Sequence, residues 1–283
     1  MADLYRSPEG ERRVRDWCAD RLTGWTVPHV SRDMDTSLGE TRLVEAGDGD
    51  TVCVYLPGTN FNAATSLGVL GHLADRCRVV AADLPGQPGL SSSTRPRPET
   101  EGYGRWLGEV VSAVRASGPV GRLLVVGHSR GAAVALSGPT EVDGLVVVAP
   151  AGLTKVRMSG GLLRTAVPWM LRPTEPRSRA LLALMSAPGS HPDPDLVSWL
   201  TRVARDTRST GAPGPLPTTV LERWRDRPVH VLIGEHDCFF PPQHVGPPAA
   251  RLHACVEVLN GLGHLAVEEA PERVAAAVLR PRP

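Results

Sequence analysis

The chain has 283 residues, a formal net charge of +1 and 41% hydrophobic residues. That length can bury a large core as one α/β domain with room for an inserted subdomain, and the near-neutral balance leaves no global field to draw in nucleic acid or a membrane. Five cysteines at wide spacings, with no C-x-x-C pair, point to neither a zinc site nor a disulfide framework.

Lys155 is the only lysine, and with abundant Ala, Gly and Pro this matches a GC-rich coding sequence, so Arg abundance carries little weight. Cys53 and Cys255 fall in apolar strands and are expected as core thiols. The first ten residues contain no apolar leader-like run and no stretch of 18 apolar residues occurs, so a soluble cytoplasmic protein is expected.

In chain order, Ser7-Pro8 caps a helix over Glu9–Leu22. Val27–Met34 and Thr41–Glu45 read as a hairpin-like pair at a sheet edge. Thr51–Leu56 is a buried strand ending in Pro57-Gly58, followed by a helix over Asn62–Asp75. Arg78–Ala82 is a strand ending at Asp83, and Gly102–Ala116 an amphipathic helix. Leu123–Val126 and Val142–Ala149 are buried strands on either side of a helix over Ala132–Leu136. Val229–Ile233 and Cys255–Leu259 are two more buried strands, and Pro271–Val278 the last helix. Such alternation predicts an α/β fold with a mostly parallel, doubly wound sheet and chemistry beyond the carboxyl ends of its strands.

Residues 152–222 break the pattern. Apolar helical segments over Leu162–Leu171, Arg179–Met185 and Leu196–Val203 are separated by proline-rich joints. They are expected to form a helical lid between the two parts of the core, 1–151 and 223–283.

Gly127-His-Ser-Arg-Gly131 lies between a strand and a helix. A Ser between two glycines on such a turn exposes its hydroxyl and strains its backbone, while the first amides of the helix can steady a developing negative charge. Ser129 is therefore the candidate nucleophile. It needs a base, and His264, in a glycine-rich turn after the last strand, is placed to reach it. Asp237, three residues past Gly234, is the candidate orienting acid, with Glu235 as its competitor. His236 beside it lacks further ligands at usable spacing, so no metal is expected. The amides of Arg130 and Thr59 are the candidate oxyanion donors, with Asn60 as the alternative to Thr59. Gly58 is expected to let that loop turn in close.

These residues resemble the α/β-hydrolase superfamily over roughly residues 40–280, and within it the small lidded carboxylesterases. The resemblance is carried by Leu56-Pro-Gly-Thr, Asp83-Leu-Pro-Gly-Gln-Pro-Gly-Leu-Ser, Val126-Gly-His-Ser-Arg-Gly-Ala, Gly234-Glu-His-Asp and Gly263-His264. It implies Ser129 as nucleophile, His264 as general base and Asp237 as orienting acid. It implies nothing about a cofactor, and none is expected. Two departures stand out: Pro57 where members commonly have His, and Ala132 where a second glycine is frequent, which suggests looser packing of helix on strand. Asp83 is read as a turn brace and not as a second acid.

Asn60, Phe61, Trp169, Trp199 and Phe239 are candidates for an apolar substrate pocket, with Met170, Trp224 and Phe240 as further possibilities. Residues 152–222 hold nine cationic side chains against five acidic ones, a surplus suited to an anionic carrier protein or coenzyme A conjugate. The favoured expectation is a serine hydrolase acting on a small or medium carboxylic ester or lactone. Thioester cleavage or acyl transfer in specialised metabolism is the alternative, and a non-hydrolytic ligand-binding protein the third. No nucleic-acid or membrane partner is expected.

Overall fold

The computed structural model describes residues 4–208 and 211–280. Helix α1 (Pro8–Thr23) starts where Ser7 Oγ accepts the Gly10 amide at 3.1 Å, with Pro8 in the first turn. A hairpin of β1 (His29–Thr36) and β2 (Gly39–Ala46) follows. Then β3 (Thr51–Leu56), α2 (Leu67–Ala74), β4 (Arg78–Ala82), α3 (Glu99–Ala116), β5 (Arg122–His128), α4 (Arg130–Ser137) and β6 (Gly144–Val148) alternate. Four helices intervene: α5 (Gly160–Leu171), α6 (Glu175–Met185), α7 (Pro194–Asp206) and α8 (Thr218–Glu222). The chain returns through β7 (Val229–Gly234), α9 (Pro242–Arg251), β8 (Cys255–Leu259), α10 (Ala266–Glu269) and α11 (Pro271–Leu279).

The eight strands form one sheet in the order β1-β2-β4-β3-β5-β6-β7-β8. β1 and β2 run antiparallel, as do β2 and β4, and every pair from β4 to β8 is parallel. This is the α/β-hydrolase fold, with its antiparallel strands at one edge. Strand alternation divides the core in two. Cys53, Tyr55, Val79 and Val126 face α1, α2 and α11, whereas Val52, Val54, Leu56 and Val125 face α3, α4 and α9. Fully burying each Val or Leu stabilises the fold by roughly 1.5–3 kcal/mol, which explains why continuous apolar runs are such reliable strands here. A third apolar cluster joins α5, α6 and α7 to Phe61 and Leu265.

Some expectations need correction. The helix over Asn62–Asp75 is split: Asn62 caps a short 3-10 turn, Ala63–Thr65, by accepting the Thr65 amide, and α2 begins only at Leu67. Helix α9 was not foreseen, because Pro247 and Pro248 lie inside it. β8 is an edge strand, so Cys255 and Val256 are exposed and Cys255 is no core thiol. Ala132 is fully buried in the core. The described residues of 152–222 contribute helices and no strand to the sheet. No helix among the described residues is long and apolar enough to cross a membrane.

Candidate active site

Four strand ends, those of β3, β5, β7 and β8, build the site. At the end of β5 the chain turns so sharply that Ser129 adopts φ 50°, and its amide donates to Val148 on the neighbouring strand at 2.9 Å. The turn is possible because Gly131 has no side chain. A Cβ there would stand 2.1 Å from the Leu56 carbonyl oxygen. α4 thus begins directly behind Ser129, against the end of β3.

After β7, Asp237 is held by its own loop. Its Oδ1 accepts the amides of Phe239 and Phe240, both at 2.8 Å, which leaves Oδ2 for His264 Nδ1 at 3.0 Å. Burial pushes the Asp237 carboxyl up, but His264 and the two amides outweigh burial and hold it below the ordinary carboxylate range. An ionised Asp237 accepts the Nδ1 proton, so Nε2 is free to accept from Ser129 Oγ, 3.1 Å away. Glu235 takes no part: its carboxylate accepts the Gly261 amide and is half exposed.

The loop carrying His264 is clamped from the α6 side. The His264 amide donates to Met185 O at 2.7 Å. Glu269 accepts the Gly263 amide at 2.8 Å, the Ala187 amide at 2.6 Å and the Ser190 hydroxyl at 3.1 Å. Gly263 is enclosed between backbones, since a Cβ would lie 2.5 Å from the Ser186 carbonyl carbon.

On the other side of Ser129, the loop after β3 presents Thr59. The Asn60 amide is already taken by Gln87 Oε1 at 3.0 Å, which removes it as an oxyanion donor. The Thr59 and Arg130 amides have no acceptor among the described residues. Gly58 serves clearance more than turning: a Cβ would lie 3.2 Å from His128 Nδ1 and 3.4 Å from Ser129 Cβ. The Arg130 side chain is buried, with Nη1 2.9 Å from Glu99 and further bonds to Thr59 Oγ1 and Gly211 O, so it ties the start of α4 to the loop after β3. His128 donates through Nε2 to His264 O at 3.0 Å, and burial, aided by His264, pushes its pKa down to about 3. It is a neutral spacer under the His264 imidazole.

Over these groups lies a cavity of about 260 Å³. Asn60, Phe61, Trp169 and Phe239 line it, together with Phe240. Leu162, Leu181 and Leu200 from α5, α6 and α7, with Leu265 just ahead of α10, complete an apolar wall that periodicity alone did not single out. Trp199 does not line it. Its indole is fully buried behind the loop that follows β3, donates to Asn60 O at 2.7 Å and packs on Trp17 at 4.6 Å. Met170 points outward, half exposed, and Trp224 packs in the main core, donating to Leu136 O at 2.7 Å. Asp83 accepts the Ala63 and Leu90 amides at 2.8 and 3.0 Å, in keeping with a turn brace. Gln87 was quoted only as part of a motif, and nothing in the sequence marked Glu269. Among the described residues no group of three or more His, Cys, Asp or Glu could hold a metal ion.

Residues 53–277 match the model of an alpha/beta hydrolase family. A putative hydrolase from Bacillus subtilis superposes with a TM-score of 0.79 at 20% identity, over 97% of this chain and 99% of that one. Carboxylesterase CesB from Bacillus subtilis gives 0.75 at 18%, over 96% and 97% of the two chains. Naproxen esterase from Bacillus subtilis gives 0.76 at 18%, over 97% and 99%. No curated protein matches the sequence.

Proposed function

The chain belongs to the alpha/beta hydrolase family, and on that footing we propose that it is a serine hydrolase that cleaves a small or medium carboxylic ester through an acyl-enzyme. What supports this most is the unbroken line from Asp237 through His264 to Ser129, at 3.0 and 3.1 Å. His264 Nε2 takes the hydroxyl proton as Ser129 Oγ attacks the ester carbonyl. The amides of Arg130 and Thr59 receive the oxyanion, and Asp237 steadies the imidazolium. His264 then protonates the departing alkoxide, and water repeats the sequence to release the acid. The 152–222 segment acts as the lid that keeps solvent from this step.

Among the described residues no Lys, Arg, Asp or Glu lines the cavity, so the group it takes is neutral and apolar, an alkyl or aryl acyl chain. Lactones fit the same chemistry. The cationic surplus of residues 152–222 lies outside the cavity, and a thioester on a carrier would have to be recognised there. The test is labelling by a fluorophosphonate probe together with hydrolysis of nitrophenyl esters of graded chain length. Ser129→Ala should lose both, with a fall in turnover on the order of 10⁶-fold. Retained turnover in that variant would refute the proposal.

A further inference from the structure

Eight large apolar side chains are exposed among the described residues, and five of them lie in the single stretch 158–171: Met158, Leu163, Val167, Met170 and Leu171. The other three, Val30, Val256 and Val258, sit on the two edge strands. Helix α5 is thus apolar on two faces. Leu162, Ala166 and Trp169 turn into the cavity. Leu163, Val167 and Met170, with Leu171 at 76% exposure, recur three and four residues apart on the neighbouring face, in solvent. Met158 belongs to both surroundings: it lines the cavity and is 52% exposed. An apolar stripe of this kind left open at a cavity mouth marks a place of contact.

Charge indicates what the contact is. From 155 to 179 the chain carries six cations and one acid, Glu175. Lys155, Arg157, Arg164, Arg172 and Arg179 are exposed, and no ion pair among the described residues engages them. The overall charge of +1 conceals this local surplus. A second copy of the chain is a poor occupant, because a two-fold contact would bring the cations together. A soluble anion is also disfavoured, since Leu, Val and Met side chains supply it no donor.

We propose that the outer face of α5 docks on an anionic phospholipid surface. The apolar stripe enters the acyl boundary, the cations meet the phosphates, and the cavity mouth opens towards the lipid, so that an apolar ester reaches Ser129 without crossing bulk water. The delivery role rests on the hydrolase reading above, whereas the docking does not.

The experiment is sedimentation of the protein with vesicles of phosphatidylcholine, with and without phosphatidylglycerol. Binding is expected only with phosphatidylglycerol present and should weaken as salt rises. The triple variant Leu163→Ser, Val167→Ser, Leu171→Ser should bind at least about tenfold less well, yet turn over a soluble short-chain ester within about twofold of the parent. Arg164→Gln with Arg172→Gln should blunt the preference for anionic lipid. Ser129→Ala should bind as the parent does, which separates docking from catalysis. If parent and Ser129→Ala both bind and no ester is cleaved, the hydrolase reading falls and the docking stands. No binding by the parent, or equal binding by the triple variant, would overturn the docking. So would a dimer that the triple serine variant dissociates without any vesicle binding, or capture of an acidic acyl carrier protein with none of the vesicles.

Discussion

Trp199 donates its indole N–H to the carbonyl of Asn60 at 2.7 Å, so helix α7 holds the loop that presents the Thr59 amide. Asn60 itself sits at φ 64°, a conformation that a β-carbon makes costly and that needs support from its surroundings. Trp199→Phe keeps most of the packing on Trp17 and removes only the hydrogen bond. It should cost about 0.5–1.5 kcal/mol of stability. Steady-state kinetics on a soluble ester should show kcat falling by roughly tenfold with KM little changed, because the oxyanion forms after binding. An unaltered kcat would show that the loop does not need this brace.

Asp237 and Glu235 sit two residues apart, and only Asp237 reaches the imidazole. Asp237→Asn keeps the shape but favours the wrong tautomer of His264, so kcat should fall on the order of 10⁴-fold. Glu235→Gln should stay within about twofold of the parent, since its carboxylate serves only an exposed turn. Equal losses in the two variants would place the acid elsewhere.

His128 and Glu268 should tilt stability in opposite directions with pH. Burial, with His264 beside it, moves the His128 pKa from 6.5 down to about 3. The unfolded chain therefore binds a proton that the native one refuses, and this contribution, complete above 6.5, drains away as pH falls towards 3. Burial, with Glu269 adding to it, raises the Glu268 pKa well above 4.5, and both its oxygens are buried without a partner among the described residues. Its contribution is complete below 4.5 and drains away as pH rises. Glu268→Gln should raise the urea midpoint more at about pH 8 than at about pH 5, and His128→Gln should flatten the acid limb. Parallel curves for parent and variants would contradict both statements.

Gly131→Ala would drive a methyl to within 2.1 Å of Leu56 O, where only backbone can yield. A loss of about 3 kcal/mol or more is expected, seen as a lowered Tm or failure to accumulate as folded protein. Gly160→Ala meets nothing within 4 Å at the start of α5 and should change stability by less than about 1 kcal/mol in either direction. Comparable losses in the two would remove packing as the reason for the glycine.

The sheet was legible because each inner strand is a continuous run of Val, Leu and Ala bounded by Gly, Pro or Asp, as in Leu123–Val126. The positions of Ser129, His264 and Asp237 were legible because each follows a strand at the same end of the sheet. What escaped were relations across the chain. An apolar run does not say whether a strand has neighbours on both sides, so Cys255 was placed inside when β8 closes the edge. Prolines normally end helices, so Pro247 and Pro248 concealed α9. A tryptophan does not announce which of its sides meets a cavity, and Trp199, expected in the apolar pocket, stands instead behind the loop that follows β3.

Glu269 serves three donors from two parts of the chain: Gly263 beside His264, and Ala187 and Ser190 at the end of α6. The helices over the site are therefore not an interchangeable cover. A chimera that replaced residues 152–222 with the corresponding piece of another hydrolase would sever the link between graft and host at the imidazole itself. The segment is bound to the core where α6 ends, at the same carboxylate that holds the His264 loop.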